Sequence, residues 1–299
     1  MIKGTIIKGY SGFYYVDTGN DVIACSLRGK NRLIKTDFFP GDKVEIEIID
    51  QEKKVGVIDK ISKRKNFLVR PPIANIDQVI ITSAMKDPTP DFMLIDRLSV
   101  LAAIQWIYPV LVFNKTDLSE PGQEEIIRQI YKEAEFPLLF VSADEEKTKN
   151  EVRSELKKLL ENKITIVAGI SGVGKTSLIN LLEIGEMHKV GEVSRKLKRG
   201  KHTTRHTELL QIGKESWVAD SPGFSSLEFP DDVSAEEIPK AYPEFRKYDH
   251  LCKFNNCFHL KEPDCEIKRQ LEAGIISKSR YNNYKYFIDE IRNRKERRY

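Results

Sequence analysis

Alternating apolar and polar residues mark a series of short strands in the first 66 positions. Between residues 43 and 49, valine and isoleucine occupy positions 44, 46 and 48, whereas lysine and glutamate occupy positions 43, 45 and 47. This period of two residues indicates a strand with one buried face. Four further strands are predicted at residues 5–7, 13–16, 22–26 and 55–61. Five short strands without a helical stretch favour a barrel of the OB type, although the pattern fits an SH3-like barrel nearly as well.

A different pattern begins after residues 62–66 and the prolines at 71 and 72, whose composition suggests a hinge. Apolar runs alternate with amphipathic stretches, which indicates a largely parallel sheet covered by helices on both faces. Ligands of such sheets bind beyond the carboxyl ends of the strands, so polar residues directly after a strand are candidates for a functional site. The predicted strands are 78–82, 109–113, 138–141, 164–168 and 216–219, and the predicted helices are 91–105, 123–135 and 151–161.

A glycine-rich loop with the pattern G-x-x-x-x-G-K-T follows the strand at 164–168 and precedes a helical stretch. Glycines allow backbone N–H groups to turn towards phosphate oxygens, and the start of a helix adds partial positive charge. Lys175 can reach the β- and γ-phosphates, which makes it a candidate catalytic residue, and the Thr176 hydroxyl can bind Mg²⁺. The predicted phosphate-binding residues are Gly169, Ile170, Ser171, Gly172, Val173, Gly174, Lys175, Thr176 and Ser177.

Residues suited to recognising guanine follow two other predicted strands. An ionised carboxylate only accepts hydrogen bonds, so Asp117 can bind the two donors at N1 and N2 of guanine, a pair that adenine lacks. Asn114 can contact the N7/O6 edge and tie this loop to the phosphate loop, and a backbone N–H of the Ser-Ala pair at 142–143 can hold O6. We therefore predict GTP rather than ATP as the ligand. The predicted base-binding residues are Asn114, Lys115, Thr116 and Asp117, which form the pattern N-K-x-D, together with Ser142 and Ala143.

Two further segments are candidates for contact with the γ-phosphate and its magnesium ion. Asp220 opens the pattern D-x-P-G after the strand at 216–219; its carboxylate can hold Mg²⁺ through water, and the Gly223 backbone can sense the γ-phosphate. A threonine within residues 200–206 can close on Mg²⁺ when GTP is bound; we favour Thr204, with Thr203 as the alternative. Ordinary GTPases begin with the phosphate loop, so the order of motifs in this chain is circularly permuted.

These motifs in this order resemble the circularly permuted GTPases of the ribosome small subunit-dependent GTPase A family, also called the YjeQ/YloQ family. The resemblance covers nearly the whole chain. It implies a multidomain α/β and β protein, with an amino-terminal OB-type barrel at residues 1–66, a permuted P-loop GTPase domain at residues 67–229 and a zinc-binding helical domain at residues 230–299. It also implies a GTP hydrolase that binds the small (30S) ribosomal subunit and its 16S rRNA late in the maturation of that subunit.

The catalytic residue that orients the attacking water is less obvious from the sequence. Phe224 follows D-x-P-G, where many GTPases have a glutamine, and a phenylalanine cannot orient water. His202 is the nearest replacement, and the resemblance favours it as well; alternatively, His202 contacts RNA or only shapes its loop. If His202 acts only when the ribosome orders this loop, turnover by the free protein is slow.

Three cysteines and one histidine form a second candidate site near the end of the chain. Cys252, Cys257, His259 and Cys265 supply three thiolates and an imidazole, a set suited to tetrahedral Zn²⁺ with no open position and hence to one structural zinc ion. Unliganded thiols are the alternative, and His250 is a fifth candidate nearby. The resemblance favours zinc because the family has this spacing.

Basic segments are candidates for contact with RNA. The segment 194–201 has five lysines or arginines in eight positions, and a helical tail from Ser277 combines basic residues with tyrosines at 281, 284, 286 and 299. A charge run is usually only a solvated face, whereas basic residues mixed with aromatic ones are also typical of RNA-binding helices.

Composition limits the function classes further. The chain has 40% hydrophobic and 31% charged residues and a net charge of +4, as expected for a folded protein. Its first residues lack the apolar core of a signal peptide, and its longest apolar region, 98–113, is too short for a membrane span. We therefore expect a cytoplasmic protein without a membrane partner. We also expect a monomer, although no sequence pattern reports the oligomeric state. The competing hypothesis is a non-catalytic, GTP-switched module that binds another RNA.

Overall fold

The structure is a computed structural model of the 299-residue chain, and it describes residues 1–10, 12–29, 37–69, 71–143, 149–182, 207–220 and 229–296. These residues divide into two compact units. The first contains the described parts of Met1–Val79, Glu146–Val167 and Thr176–Phe224, and the second contains those of Ile80–Glu145, Ala168–Lys175 and Ser225–Tyr299.

A closed barrel of five strands forms the amino-terminal part of the first unit. Its strand order is β1-β2-β3-β5-β4, in which β3 and β5 are parallel and the other pairs are antiparallel. Val44 and Ile46 of β4 are buried, as the alternating pattern predicts. The closed five-stranded barrel confirms the OB-type prediction. The strands are β1 (Ile2–Tyr10), β2 (Phe13–Asp17), β3 (Val22–Leu27), β4 (Lys43–Asp50) and β5 (Val55–Ile61).

A β-hairpin follows the barrel where the sequence suggested a hinge. Its strands are β6 (Phe67–Val69) and β7 (Pro72–Ala74). The backbone N–H of Ala74 donates to the carbonyl oxygen of Pro40 at 2.9 Å, which fixes β7 to the barrel. Arg64 donates two hydrogen bonds, of 2.6 and 2.8 Å, to the fully buried carboxylate of Asp42. The segment is therefore an ordered attachment rather than a hinge: Pro71 lies at the turn, and Pro72 begins β7.

Six further strands form one mixed sheet in the order β10-β9-β8-β11-β13-β12. The pairs β9/β10 and β11/β13 are parallel, whereas β12 and β13 form an antiparallel hairpin. The hairpin partner β12 was not predicted, because it is short and only half-buried. The strands are β8 (Gln78–Ala84), β9 (Tyr108–Asn114), β10 (Leu138–Phe140), β11 (Ile164–Ala168), β12 (Leu210–Gly213) and β13 (Ser216–Asp220).

The helices of the α/β part lie close to their predicted positions. The first begins immediately after Asp91, whose carboxylate accepts a hydrogen bond of 3.0 Å from the N–H of Leu94 and so caps the helix. The predicted helix from 123 to 135 ends earlier as an α-helix and continues as a 3₁₀ turn at Lys132–Ala134. The helices are α1 (Phe92–Ile104), α2 (Gln123–Tyr131), α3 (Lys149–Leu160) and α4 (Lys175–Leu181).

Helices also make up the carboxy-terminal region, which belongs to the second unit. Its core contains Phe245, Tyr284 and Phe287, and Val100 of α1 packs into the same cluster. Tyr281 and Tyr284 are buried, so of the tail tyrosines in the described part of the chain only Tyr286 is exposed. Tyr281 and Tyr284 therefore belong to a core rather than to a surface for stacking on RNA. The helices are α5 (Glu237–Lys240), α6 (Pro243–Arg246), α7 (Glu266–Glu272) and α8 (Lys278–Glu296).

A buried ion cluster joins α8 to α1 and α6 inside the second unit. Arg280, 1% exposed, donates to Asp96 at 2.6 Å and to both carboxylate oxygens of Glu244. Asn283 and Tyr131 donate to Asp96 at 2.7 and 3.0 Å. Burial raises the pKa of Asp96, although its hydrogen-bond donors and the charge of Arg280 act to lower it. Burial also lowers the pKa of Arg280, but the carboxylates of Glu244 and Asp96 outweigh this effect and raise that pKa well above its ordinary value. The arginine therefore stays charged, and the cluster fixes the carboxy-terminal helix to α1.

Among the residues that the structure describes, no helix has both the length and the apolar character needed to cross a bilayer.

Candidate nucleotide-binding and metal sites

The glycine-rich loop between β11 and α4 contains three glycines in the left-handed region, with φ of +139° at Gly169, +85° at Gly172 and +93° at Gly174. Two of them also have no room for a side chain. A Cβ at position 169 would lie 2.3 Å from the carbonyl oxygen of Thr82, and one at position 174 would lie 2.0 Å from the side-chain nitrogen of Asn114. Glycine is therefore required by both conformation and packing.

Asn114 connects the loops that carry three of the predicted motifs. Its side chain is buried, and its Nδ2 donates to the carbonyl oxygen of Val173 in the glycine-rich loop at 3.1 Å. Its Oδ1 accepts a hydrogen bond of 3.0 Å from the N–H of Ala143. The structure thus brings the N-K-x-D loop, the Ser-Ala pair and the glycine-rich loop together at one amide.

Asp117 lies on the surface beside this junction and is oriented by Ser142. The Ser142 hydroxyl donates to Asp117 Oδ1 at 2.6 Å. Lys115, between Asn114 and Asp117, adopts a left-handed conformation with φ of 62°, and its ammonium donates to the carbonyl oxygen of Asp87. The sequence indicated only backbone contacts from Ser142; its hydroxyl is a second polar group of the site that the pattern did not reveal.

Lys175 is the first residue of α4 and stays close to the loop that precedes it. Its ammonium donates to the carbonyl oxygens of Gly169 and Ile170, each at 2.8 Å. The cationic group is thus held at the same loop whose backbone the glycines expose. Thr176 and Ser177 follow in the first turn of α4, and Leu178 and Ile179 anchor the helix in the core.

Asp220 is the last residue of β13, and its backbone pairs with Val167 of β11. The strand therefore ends at the carboxyl end of β11, two residues before the glycine-rich loop begins at Gly169. The other predicted contacts to the γ-phosphate and the catalytic histidine lie outside the described residues, as does the basic segment 194–201. They are His202, Thr203, Thr204, Gly223 and Phe224.

The predicted metal ligands converge in the carboxy-terminal region. The Sγ atoms of Cys252 and Cys265 lie 3.6 and 3.4 Å from His259 Nδ1 and 4.0 Å from each other. Cys257 completes the set, and all four donor atoms lie within 4.8 Å of one another. Tetrahedral coordination with Zn–S bonds of about 2.3 Å places ligand atoms roughly 3.5 to 3.8 Å apart. The donor set and its spacing therefore fit a zinc ion.

The protonation of these predicted ligands depends on whether a metal ion is bound. Burial raises the pKa of Cys257 to about 12 and also raises the pKa of Cys265, so both thiols hold their protons in the absence of a metal. Burial lowers the pKa of His259, which keeps the imidazole neutral and able to coordinate. Binding of a zinc ion would release the thiol protons.

Comparison with protein families decides the identity of the chain. The model of the RsgA GTPase matches residues 61–230, and the model of the RsgA N-terminal domain matches residues 3–58. This protein belongs to the RsgA GTPase family. Proteins named "Small ribosomal subunit biogenesis GTPase RsgA" match this chain over nearly its whole length. The one from Agathobacter rectalis is 39% identical over 99% of this chain and 100% of its own. The one from Alkaliphilus metalliredigens is 41% identical over 100% of both chains.

Solved structures support the permuted fold of this RsgA-family protein. The crystal structure of YloQ, described as a circularly permuted GTPase, is 33% identical and superposes with a TM-score of 0.82, covering 98% of this chain and 96% of its own. The crystal structure of YjeQ from Thermotoga maritima is 33% identical with a TM-score of 0.80, covering 97% of this chain and 98% of its own. The predicted fold, a barrel followed by a permuted GTPase domain, is confirmed.

Proposed function

We propose that this protein hydrolyses GTP, slowly on its own and faster when it binds the small (30S) ribosomal subunit, and that it acts in the late maturation of that subunit. The observation that carries this proposal is the buried Asn114 amide, which joins the guanine-recognition loop, the Ser-Ala pair and the phosphate loop. The names of the full-length relatives support the small subunit as partner.

The described residues suggest a division of roles around GTP. Asp117, oriented by Ser142, accepts the N1 and N2 donors of guanine, while Asn114 keeps the base-binding and phosphate loops together. Backbone N–H groups of the loop from Gly169 to Gly174 hold the phosphates, and Lys175 neutralises the charge that develops on the β- and γ-phosphates. Mg²⁺ is held by Thr176 and, through water, by Asp220. The further base- and phosphate-binding residues of this proposal are Lys115, Thr116, Ala143, Ile170, Ser171, Gly172, Val173, Ser177 and Gly223.

His202 orients the attacking water in this proposal, and Thr204, or alternatively Thr203, closes on Mg²⁺. His202→Ala should abolish subunit-stimulated turnover, because Phe224 cannot replace its hydrogen bond, and should leave the Kd for GDP within about twofold. Single-turnover hydrolysis with purified small subunits measures the first quantity, and fluorescent GDP binding measures the second. Full stimulated turnover in the variant would exclude His202 as the water-orienting residue.

One zinc ion, bound by Cys252, Cys257, His259 and Cys265, completes the carboxy-terminal region of residues 230–299. Four protein ligands leave no open position for a reacting molecule, so the ion is structural. We further propose that the protein is a cytoplasmic monomer that contacts 16S rRNA through its barrel, residues 1–66, and through the carboxy-terminal region. In the sequence these two regions precede and follow the GTPase domain at residues 67–229.

The decisive experiment is GTP turnover by the purified protein alone and with small subunits, large subunits or tRNA. We expect the turnover rate to increase at least about tenfold with small subunits and not with the other two partners. In our proposal the small subunit orders the loop that carries His202 for catalysis, an effect that the free enzyme lacks. Equal stimulation by tRNA would instead support a function on another RNA. No stimulation by any of the three would support a GTP-switched binding module without a catalytic role.

A further inference from the structure

The first compact unit contains contacts between the barrel and the β12–β13 hairpin. The backbone N–H of Leu209 donates to the carbonyl oxygen of Ile7, on β1, at 2.9 Å. Glu208 forms an isolated antiparallel bridge with Lys8, and the Lys8 ammonium lies 3.3 Å from the Glu208 carboxylate. The chain that enters the hairpin is therefore paired to the barrel wall by both backbone and side chain.

A further contact reaches the second strand of the hairpin. The Lys43 ammonium, on β4, lies 5.0 Å from the centre of the Trp217 ring and donates to Thr5 Oγ1 at 2.9 Å. Trp217 is only 3% exposed, and a cation over an indole face is an attractive interaction that strengthens as water is excluded. The barrel therefore contacts both the residues that precede β12 and the strand β13.

The hairpin also has a fixed register against the strand that leads to the phosphate loop. Trp217 pairs with Ile164, and Asp220 pairs with Val167 along the parallel strands β13 and β11. The residue that Lys43 contacts and the proposed Mg²⁺-binding residue Asp220 thus lie on one short strand, between β11 and β12. A displacement of this strand would move the backbone of Asp220 with it.

We propose that Lys8, Glu208 and Lys43 are positioning residues for GTP hydrolysis, through which the barrel determines where β13 places Asp220. The inference rests on the proposed function, because it assumes that Asp220 serves the magnesium ion of bound GTP. It gives the barrel a role in turnover that is separate from any contact with RNA. A partner bound to the barrel can then act on the nucleotide site through the Lys8–Glu208 and Lys43–Trp217 contacts.

Basal GTP turnover of the full-length protein, measured without ribosomal subunits, tests the positioning role. Lys43→Met and Lys8→Glu should each lower kcat by roughly three- to tenfold, because small misplacements of reacting groups have large effects on rate. The Kd for GDP without magnesium should stay within about twofold, since guanine and the diphosphate are bound by other residues. Lys53→Met is the matched control. It also removes a lysine of the barrel, but the ion-pair partner of Lys53 is Asp50, 3.5 Å away at the end of β4, and not a residue of the hairpin.

Charge reversal separates positioning from loss of folding. Combining Lys8→Glu with Glu208→Lys restores an ion pair in the opposite orientation, and we expect it to recover most of the lost kcat. Unchanged kcat in both single variants, or an equal loss of GDP affinity and kcat without rescue, would overturn the proposal. Failure of small subunits to stimulate the wild-type protein would contradict the proposed function but leave this basal measurement valid.

Tryptophan fluorescence provides a reading that does not depend on turnover. The chain has two tryptophans, so Trp106→Phe leaves Trp217 as the single emitter. We expect its emission to change when Mg²⁺ and a non-hydrolysable GTP analogue replace GDP, and Lys43→Met to reduce that change by at least about half. An identical change of emission in the Lys43→Met protein would show that the Lys43–Trp217 contact does not respond to the bound nucleotide.

Discussion

Asp117 shows how much a single carboxylate in the proposed site depends on its neighbour. Its side chain is exposed to solvent, yet the Ser142 hydroxyl fixes one of its oxygens at 2.6 Å. An exposed carboxylate would otherwise sample several rotamers, and ordering it on binding would cost free energy. The serine thus pre-organises the carboxylate that, in our proposal, distinguishes guanine from other bases.

Asp117→Asn should change the preferred base from guanine to xanthine. An asparagine offers one acceptor and one donor, which matches xanthine, whose carbonyl replaces the amino group of guanine. We expect GTP affinity to fall at least roughly 100-fold, about 2.7 kcal/mol, and XTP affinity to rise. Competition of both nucleotides against fluorescent GDP and fluorescent XDP measures the two changes. Ser142→Ala should lower GTP affinity only about three- to tenfold without a gain for XTP, because it removes orientation and not recognition.

At the scale of elements, the buried ion cluster explains why α8 belongs with α1. Asp96 and Arg97 occupy the face of α1 that packs into the core, and Glu290 of α8 accepts two hydrogen bonds, of 2.8 and 2.7 Å, from Arg97. Arg280 on α8 pairs with Asp96. Charged groups of α1 and α8 therefore meet within one apolar cluster.

Arg280→Met should destabilise the protein by about 3–5 kcal/mol, because it leaves the carboxylates of Asp96 and Glu244 buried without their cation. Denaturant unfolding followed by circular dichroism measures the change, with Lys278→Met, exposed on the same helix, as the control. The pKa of Asp96 is already raised by burial, and loss of Arg280 raises it further. A carboxyl group with a raised pKa in the folded state favours folding at low pH. The loss of unfolding free energy caused by Arg280→Met should therefore be smaller at pH 5 than at pH 8. A defect independent of pH would contradict this explanation.

Removal of zinc should unfold the loop that holds the metal ligands. We expect Cys257→Ser to lose the bound zinc and to lower the melting temperature by several degrees, whereas Cys25→Ala, a change in the barrel core, keeps one zinc per chain. Elemental analysis and thermal unfolding before and after chelation measure both effects. Equal zinc content in the two variants would contradict the assignment of the site.

The sequence predicted most elements because their patterns are local. The alternation of β4, the start of α1 near residue 91 and the strand before the phosphate loop depend on neighbouring residues, and all were located correctly. The hairpin of β6 and β7 was mistaken for a hinge, since its order comes from Pro40 and Asp42, more than twenty residues away. The burial of Tyr281 and Tyr284 could not be predicted for the same reason: it requires the packing of α8 on the loop of the predicted metal ligands, where Tyr281 donates to the carbonyl oxygen of His259.

At the scale of the whole molecule, the two terminal regions belong to different compact units. The barrel belongs to the unit that contains Thr176 and β13, and the carboxy-terminal helices belong to the unit that contains the guanine-recognition loop. The order of the sequence motifs was sufficient to predict the permuted topology. The Arg280–Asp96 pairing could not be predicted, because it joins residues 184 positions apart and leaves no local pattern.

A chain that ends at residue 229 should therefore lose guanine nucleotide binding, although it retains every base-recognition and phosphate-loop residue. Truncation exposes the apolar face of α1 around Val100 and leaves Asp96 without Arg280. We expect GDP affinity to fall at least roughly 100-fold and cooperative unfolding of this half to disappear. Isothermal titration of the truncated and full-length proteins measures the loss, and wild-type affinity in the truncated chain would contradict it.

The same pairing sets an order of events during synthesis. A polypeptide leaves the ribosome from its amino terminus, so Asp96 emerges long before Arg280, 184 residues later. Until then the carboxylate of Asp96 lacks its cationic partner, although it lies on the face of α1 that packs into the core. The unit that contains the proposed guanine-recognition loop is therefore completed only after α8 has been translated. We therefore expect that an incomplete product, translated without α8, does not bind GTP and does not compete with the full-length protein.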